Sequence, residues 1–120
     1  MRVVSGELRG RRIESPAGDV TRPTTDKVRE AVFNALGSAG ILDGATVLDL
    51  FAGTGAMGIE ALSRGATRCV FVERDRNALV ALRRNVESLG LGSRSEIVQG
   101  DALAAVPREA DILIADPPYG

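Results

Sequence analysis

Asp49-Leu50-Phe51-Ala52-Gly53-Thr54-Gly55-Ala56-Met57-Gly58 joins a mostly apolar run, Thr46 to Phe51, to a helical pattern over Ile59 to Arg64 that Gly65 closes. Residues 53–58 satisfy G-x-G-x-x-G, and Glu73 stands 20 positions after Gly53 at the tip of the next apolar run. A strand, a glycine turn, a helix and an acid at the end of the second strand make a unit that can hold an adenosine-bearing ligand. The glycines let the backbone approach the ligand closely, and the acid accepts hydrogen bonds from ribose hydroxyls. Spacing alone admits a nicotinamide dinucleotide as readily as S-adenosylmethionine, because both carry an adenosine ribose. Asp49 separates them. A carboxylate four residues before the glycines repels a pyrophosphate and attracts a ligand bearing a sulfonium and an ammonium, so the motif favours S-adenosylmethionine. The other reading of Asp49 is that it ties down the turn through backbone hydrogen bonds.

Outward from this turn the alternation continues. Arg68 to Glu73 reads as a second strand, and Asp75 caps a helix that places Ala78, Leu79, Leu82, Val86 and Leu89 on one face until Gly90 and Gly92 break it. Ser95 to Val98 is a third strand, residues 102–106 a short helix, and Asp111 to Ala115 a fourth strand. Near-continuously apolar strands alternating with helices predict a parallel sheet covered on both faces. Upstream, Thr24 or Thr25 can cap a helix whose apolar positions Val28, Val32, Ala35 and Leu36 should pack on the strands and helices downstream, ending at Gly37. Met1 to Ile13 reads as an extended ribbon, an appendage rather than part of the core.

Composition bounds the chemistry. The 120 residues include no His and one Cys, Cys69, which excludes Cys/His zinc sites, His-based nucleophilic triads and any disulfide within the chain. Leu, Ile, Val and Phe make up 33 of the 120, enough for a packed core of one domain. Lys and Arg number 15 against 16 Asp and Glu, but residues 1–30 carry a net +2 and the remainder a net −3. Arg2, Arg9, Arg11 and Arg12 face only Glu7 within the ribbon, and two readings stand side by side: a solvated hairpin, or an arm that contacts phosphates. No apolar run exceeds five residues, which leaves no membrane span or signal peptide and makes the cytoplasm the expected location.

Acids recur at the strand ends: Asp49, Glu73, Asp101 and Asp116 follow four consecutive strands, and ligands of open α/β sheets bind at that edge. The fourth opens Asp116-Pro117-Pro118-Tyr119. Two prolines stiffen an extended backbone, Asp116 and Pro117 present acceptors, and Tyr119 presents a ring face, a combination suited to an exocyclic amine on a nucleobase.

With these residues in view the chain resembles the class I S-adenosylmethionine-dependent methyltransferases, and more closely the RsmD-type family of 16S rRNA guanine-N2 methyltransferases. The resemblance rests on Arg2-Val3-Val4-Ser5-Gly6 with Arg9-Gly10-Arg11, on Arg22-Pro23-Thr24-Thr25-Asp26-Lys27-Val28-Arg29-Glu30, on the stretch from Asp49 to Gly55, and on Asp116 to Tyr119. It implies a Rossmann-like sheet and methylation of the exocyclic N2 of a guanine in small-subunit rRNA. Asp49, Phe51, Ala52, Gly53, Thr54 and Gly55 would line the cofactor, Glu73 would bind its ribose, and Arg74, Asp101 and Ala102 would flank its adenine. Asp116, Pro117, Pro118 and Tyr119 would hold the target base, and the arm would grip RNA, either free rRNA or a ribosomal assembly intermediate, with no metal and no membrane involved. Family members continue through three further strands, so the resemblance implies a sheet in the order 3-2-1-4, truncated after its fourth strand, which would be left as an unpaired edge. Residues 1–23 would form the basic arm and loop, and 24–120 the first part of the methyltransferase domain. The competing functions are a DNA amino-methyltransferase, a non-catalytic cofactor- or RNA-binding fragment, and an NAD-dependent oxidoreductase.

Overall fold

A computed structural model describes residues 1–15, 26–102 and 109–116. Four strands, β1 (Thr46–Asp49), β2 (Arg68–Glu73), β3 (Ser95–Gln99) and β4 (Ile112–Ile114), form one parallel sheet in the order β3-β2-β1-β4, as expected. Three helices accompany it: α1 (Asp26–Ser38), α2 (Ala56–Ser63) and α3 (Arg76–Ser88). Because neighbouring strand residues face opposite sides, the apolar strands feed two clusters. Val47, Cys69 and Phe71 meet Phe33 of α1, Ile59 and Leu62 of α2, and Leu79, Leu82 and Val86 of α3. Leu48, Leu50, Val70 and Val72 turn to the other face, with Ala102 and Val98. All three described helices therefore pack on one side of the sheet. Leu113, on the edge strand β4, is 61% exposed. Among the described residues, no helix is long and apolar enough to cross a membrane.

The α3 cap is as read from the sequence: the Asp75 side chain accepts from the Ala78 N–H at 2.9 Å. Helix α2 begins at Ala56, one turn before the expected Ile59. Gly55 takes the left-handed conformation (φ 91°) and completes the turn early, leaving Gly58 inside the helix. A Cβ on Gly58 would lie 2.6 Å from Cys69 Sγ and against the Phe71 ring, so this glycine lets α2 settle directly on β2.

Two expectations are corrected. The N-terminal ribbon is not an appendage: Val3 and Ile13 are each 2% exposed and belong to the main core. The ribbon doubles back on itself through the Val3 N–H to Arg11 carbonyl (2.9 Å) and Ile13 N–H to Met1 carbonyl (2.8 Å) bonds, and α2 and α3 hold it by side chains. Glu60 accepts from the Val4 and Ser5 N–H groups at 2.9 and 3.1 Å, and Ser63 Oγ accepts from Leu8 N–H at 2.9 Å. The second correction concerns α1. Val28 (52% exposed), Val32 (40%) and Ala35 face outward, while Arg29 and Phe33 are fully buried and Leu36 is half-buried. Arg29 turns inward because its guanidinium Nε meets the buried Glu60 carboxylate at 3.3 Å and its Nη2 donates to the Arg2 carbonyl at 2.6 Å. The expected cap at Thr24 or Thr25, most of the helix expected over 102–106, and Pro117-Pro118-Tyr119 lie outside the described residues.

Candidate functional site

The carboxyl edge of the sheet gathers the predicted acids. Asp49 ends β1, Glu73 ends β2, Asp101 lies two residues beyond β3 and Asp116 two beyond β4. Asp49 is 1% exposed, and its Oδ2 accepts from the Gly58 N–H at 3.2 Å, so it does tie down the start of α2. Burial pushes its pKa up to about 7; the Gly58 N–H works against this, and the negative charges of Asp116 and Glu73 add to it. An asparagine would accept the same hydrogen bond at no such electrostatic cost. A turn-fixing role alone therefore leaves the carboxylate unexplained, whereas a cationic ligand would offset its burial.

Glu73 holds the turn from the neighbouring strand. Its Oε1 accepts from Gly53 N–H at 2.8 Å, and its Oε2 accepts from Arg74 and Asp75 N–H at 3.0 and 2.9 Å. A carboxylate offers about four acceptor directions, which leaves one on Oε1 for a ribose hydroxyl. Gly55 packs so closely that a Cβ would lie 2.5 Å from Leu82 Cδ1, and its N–H donates to the Ala52 carbonyl at 2.8 Å. The Thr54 carbonyl accepts from Asn85 Nδ2 of α3 at 2.9 Å. Phe51 is partly exposed beside the turn, Ala52 is buried, and Arg74, Asp101 and Asp116 are exposed. The Gly100 N–H donates to the Glu73 carbonyl at 3.0 Å, which brings the loop leading to Asp101 alongside Glu73. Ala102 is buried with Leu50 and Val72 in the second cluster.

The ribbon arginines stand apart from this edge. Arg2 donates to the Gly10 carbonyl at 2.9 Å and Arg11 to the Ser88 carbonyl at 3.0 Å, while Arg9 and Arg12 are exposed. Besides Arg29 and Ser63, two further buried polar residues escaped the sequence reading. Glu60 is fully buried between Arg29 and Arg64, whose Nε lies 2.8 Å away, and Asn85 is fully buried on α3. The available signal was a polar side chain inside an apolar stripe: Glu60 between Ile59 and Ala61, and Asn85 among Leu82, Val86 and Leu89.

Comparison with known proteins places this geometry in a family. The profile described as Conserved hypothetical protein 95 matches residues 1–120. The chain is 38% identical over 122 residues to Ribosomal RNA small subunit methyltransferase D of Escherichia coli (strain K12), covering 99% of this chain and 60% of that protein. The solved Escherichia coli protein yhhF superposes with a TM-score of 0.85 at 35% identity, over 99% of this chain and 64% of that one. An RNA methyltransferase from Salinibacter ruber, solved in complex with S-adenosyl-L-homocysteine, superposes with a TM-score of 0.64 at 30% identity, over 77% of this chain and 58% of that one. The chain thus spans about three fifths of the length of these relatives.

Proposed function

Because this chain belongs to the Conserved hypothetical protein 95 family, the RsmD family of rRNA methyltransferases, we propose that it serves S-adenosylmethionine-dependent methylation of the exocyclic N2 of a guanine in small-subunit rRNA. The observation that carries this reading is the buried Asp49 carboxylate, pushed up to about 7 beside a glycine turn and two further acids. That field suits a cationic ligand and opposes the pyrophosphate of a dinucleotide. S-adenosyl-L-homocysteine in the Salinibacter ruber relative supports the same ligand class.

The residues present fit the cofactor. A Cβ on Gly53 would meet nothing within 4 Å, so this glycine would leave the backbone open to close approach, while Gly55 seats the turn against Leu82. The remaining acceptor direction of Glu73 Oε1 would take a ribose hydroxyl, and Asp101 and Ala102 with Arg74 would border the adenine. S-adenosylmethionine, when bound, supplies a methyl group already activated on a sulfonium. What remains for the chain is orientation. Asp116 accepts a hydrogen bond from the target amine, aligns its lone pair, and stabilises the positive charge that develops on nitrogen. Pro117, Pro118 and Tyr119 complete the base-holding segment, with Tyr119 stacking on the ring. Arg9 and Arg12 contact phosphates of free rRNA or of an assembly intermediate in the cytoplasm.

Incubation of the protein with methyl-labelled cofactor and small-subunit rRNA, followed by nucleoside mass spectrometry, tests the assignment. Label in N2-methylguanosine is expected. Label on an adenine or cytosine amine would contradict the base assignment, and transfer to DNA alone would contradict the RNA assignment.

A further inference from the structure

Asn85 occupies a position on α3 where its neighbours on the helix stripe are Leu82, Val86 and Leu89, and it is fully buried. Packing alone would be served by another leucine. Three hydrogen bonds account for the amide. Its Oδ1 accepts from Glu14 N–H at 2.8 Å, and its Nδ2 donates to the Glu14 carbonyl at 3.0 Å and to the Thr54 carbonyl at 2.9 Å. One side chain therefore grips the backbone where the ribbon ends and the carbonyl between the two glycines of the turn. No isosteric replacement does both: aspartate has no proton for either carbonyl, and leucine leaves three part-buried backbone groups without this partner.

The glycine turn needs such a hold. Gly53 and Gly55 both have positive φ (57° and 91°), and their freedom must be removed for the turn to keep one shape. Glu73 fixes the Gly53 N–H from β2, and Asn85 fixes the Thr54 carbonyl from α3. The second restraint also joins the turn to the ribbon, since the same amide carries both sets of bonds.

We propose that Asn85 is a positioning residue for the cofactor turn: it sets the Gly53–Gly55 backbone and ties that setting to the ribbon's end at Glu14, whose backbone the same amide holds. This inference rests on the reading of the carboxyl edge as a cofactor site. Three variants test it. Asn85→Ala removes the amide, Glu14→Pro removes the ribbon's N–H while leaving Asn85 in place, and Ser63→Ala loosens the ribbon at Leu8, away from the turn. Two quantities are read at a temperature where every variant is folded: S-adenosyl-L-homocysteine affinity by calorimetry, and the Gly53 and Gly55 amide resonances without ligand. Asn85→Ala and Glu14→Pro are each expected to weaken binding about tenfold, the scale of one lost hydrogen bond, and to shift both glycine resonances. Ser63→Ala is expected to do neither. Should Asn85→Ala fail to fold, Glu14→Pro alone decides. Wild-type affinity with unmoved glycine amides in the Asn85 or Glu14 variant would overturn the inference, as would an equal loss in Ser63→Ala. A wild-type protein that binds no S-adenosyl-L-homocysteine would overturn it together with the cofactor reading, whereas the first two outcomes leave that reading intact.

Discussion

Asp49 is a buried carboxyl group whose ionisation the fold opposes. Its pKa lies at about 7 in the folded protein against an ordinary 3.8, so the native state binds this proton more tightly than the unfolded chain does. The resulting stabilisation is complete below pH ~3.8, declines as the pH rises, and is gone above about 7, where the ionised group costs the fold on the order of 4 kcal/mol at most. Asp49→Asn is therefore expected to melt at a higher temperature than wild type at pH 8, with the difference vanishing near pH 4, and to bind S-adenosylmethionine more weakly. Equal melting temperatures at pH 8 would show that the carboxylate is not the burden described. Asp116 has the opposite character: it is exposed, and its proposed work is on the substrate. Asp116→Ala is expected to reduce single-turnover methyl transfer by ~10² to 10³, the scale of one preorganised electrostatic group, with cofactor affinity nearly unchanged. Near-normal transfer would remove it from the catalytic machinery.

At the scale of elements, legibility followed the range of the forces involved. The β2 boundaries, the Asp75 cap and the glycine turn were readable because their causes are local: a continuous apolar run, a side-chain cap three residues from its donor, and positive φ. The buried face of α1 was not. Val28-Val32-Ala35 and Arg29-Phe33-Leu36 share the same helical spacing, and the choice between them is made by Glu60, 31 residues beyond Arg29. The ribbon escaped for the same reason, since Glu60, Ser63 and Asn85 hold it from 55 to 71 residues away. The candidate acids were legible as a set, because strand ends are predictable. That Glu73 spends three acceptor directions on backbone N–H groups was not, because nothing in its spacing distinguishes a turn anchor from a ligand contact. Glu60 is the junction of ribbon, α1 and α2, and its removal leaves two guanidinium groups without their carboxylate. Glu60→Ala is expected to lower the unfolding free energy by about 3–5 kcal/mol in urea titration and to expose the Val4 and Ser5 amides to hydrogen exchange. A loss below ~1 kcal/mol would mean that Glu60 is not the junction described and that the ribbon is held by its other contacts.

Across the whole molecule, charge is divided between the two ends of the proposed reaction. Residues 1–30 carry a net +2, with Arg9 and Arg12 exposed on a ribbon that is part of the core, and in the proposed reaction this basic surface would be the platform for phosphates. The rest carries a net −3, and four of its eleven acids, Asp49, Glu73, Asp101 and Asp116, stand at the carboxyl edge. One titration addresses this division directly: calorimetry of the protein with S-adenosylmethionine at pH 6 and pH 8, beside the same titrations with NAD. The acidic edge predicts that S-adenosylmethionine binds, more tightly at pH 8 where Asp49 is ionised, and that NAD does not compete with it. NAD binding at equal or greater affinity, or S-adenosylmethionine binding that weakens from pH 6 to pH 8, would contradict the assignment of this edge to a cationic methyl donor.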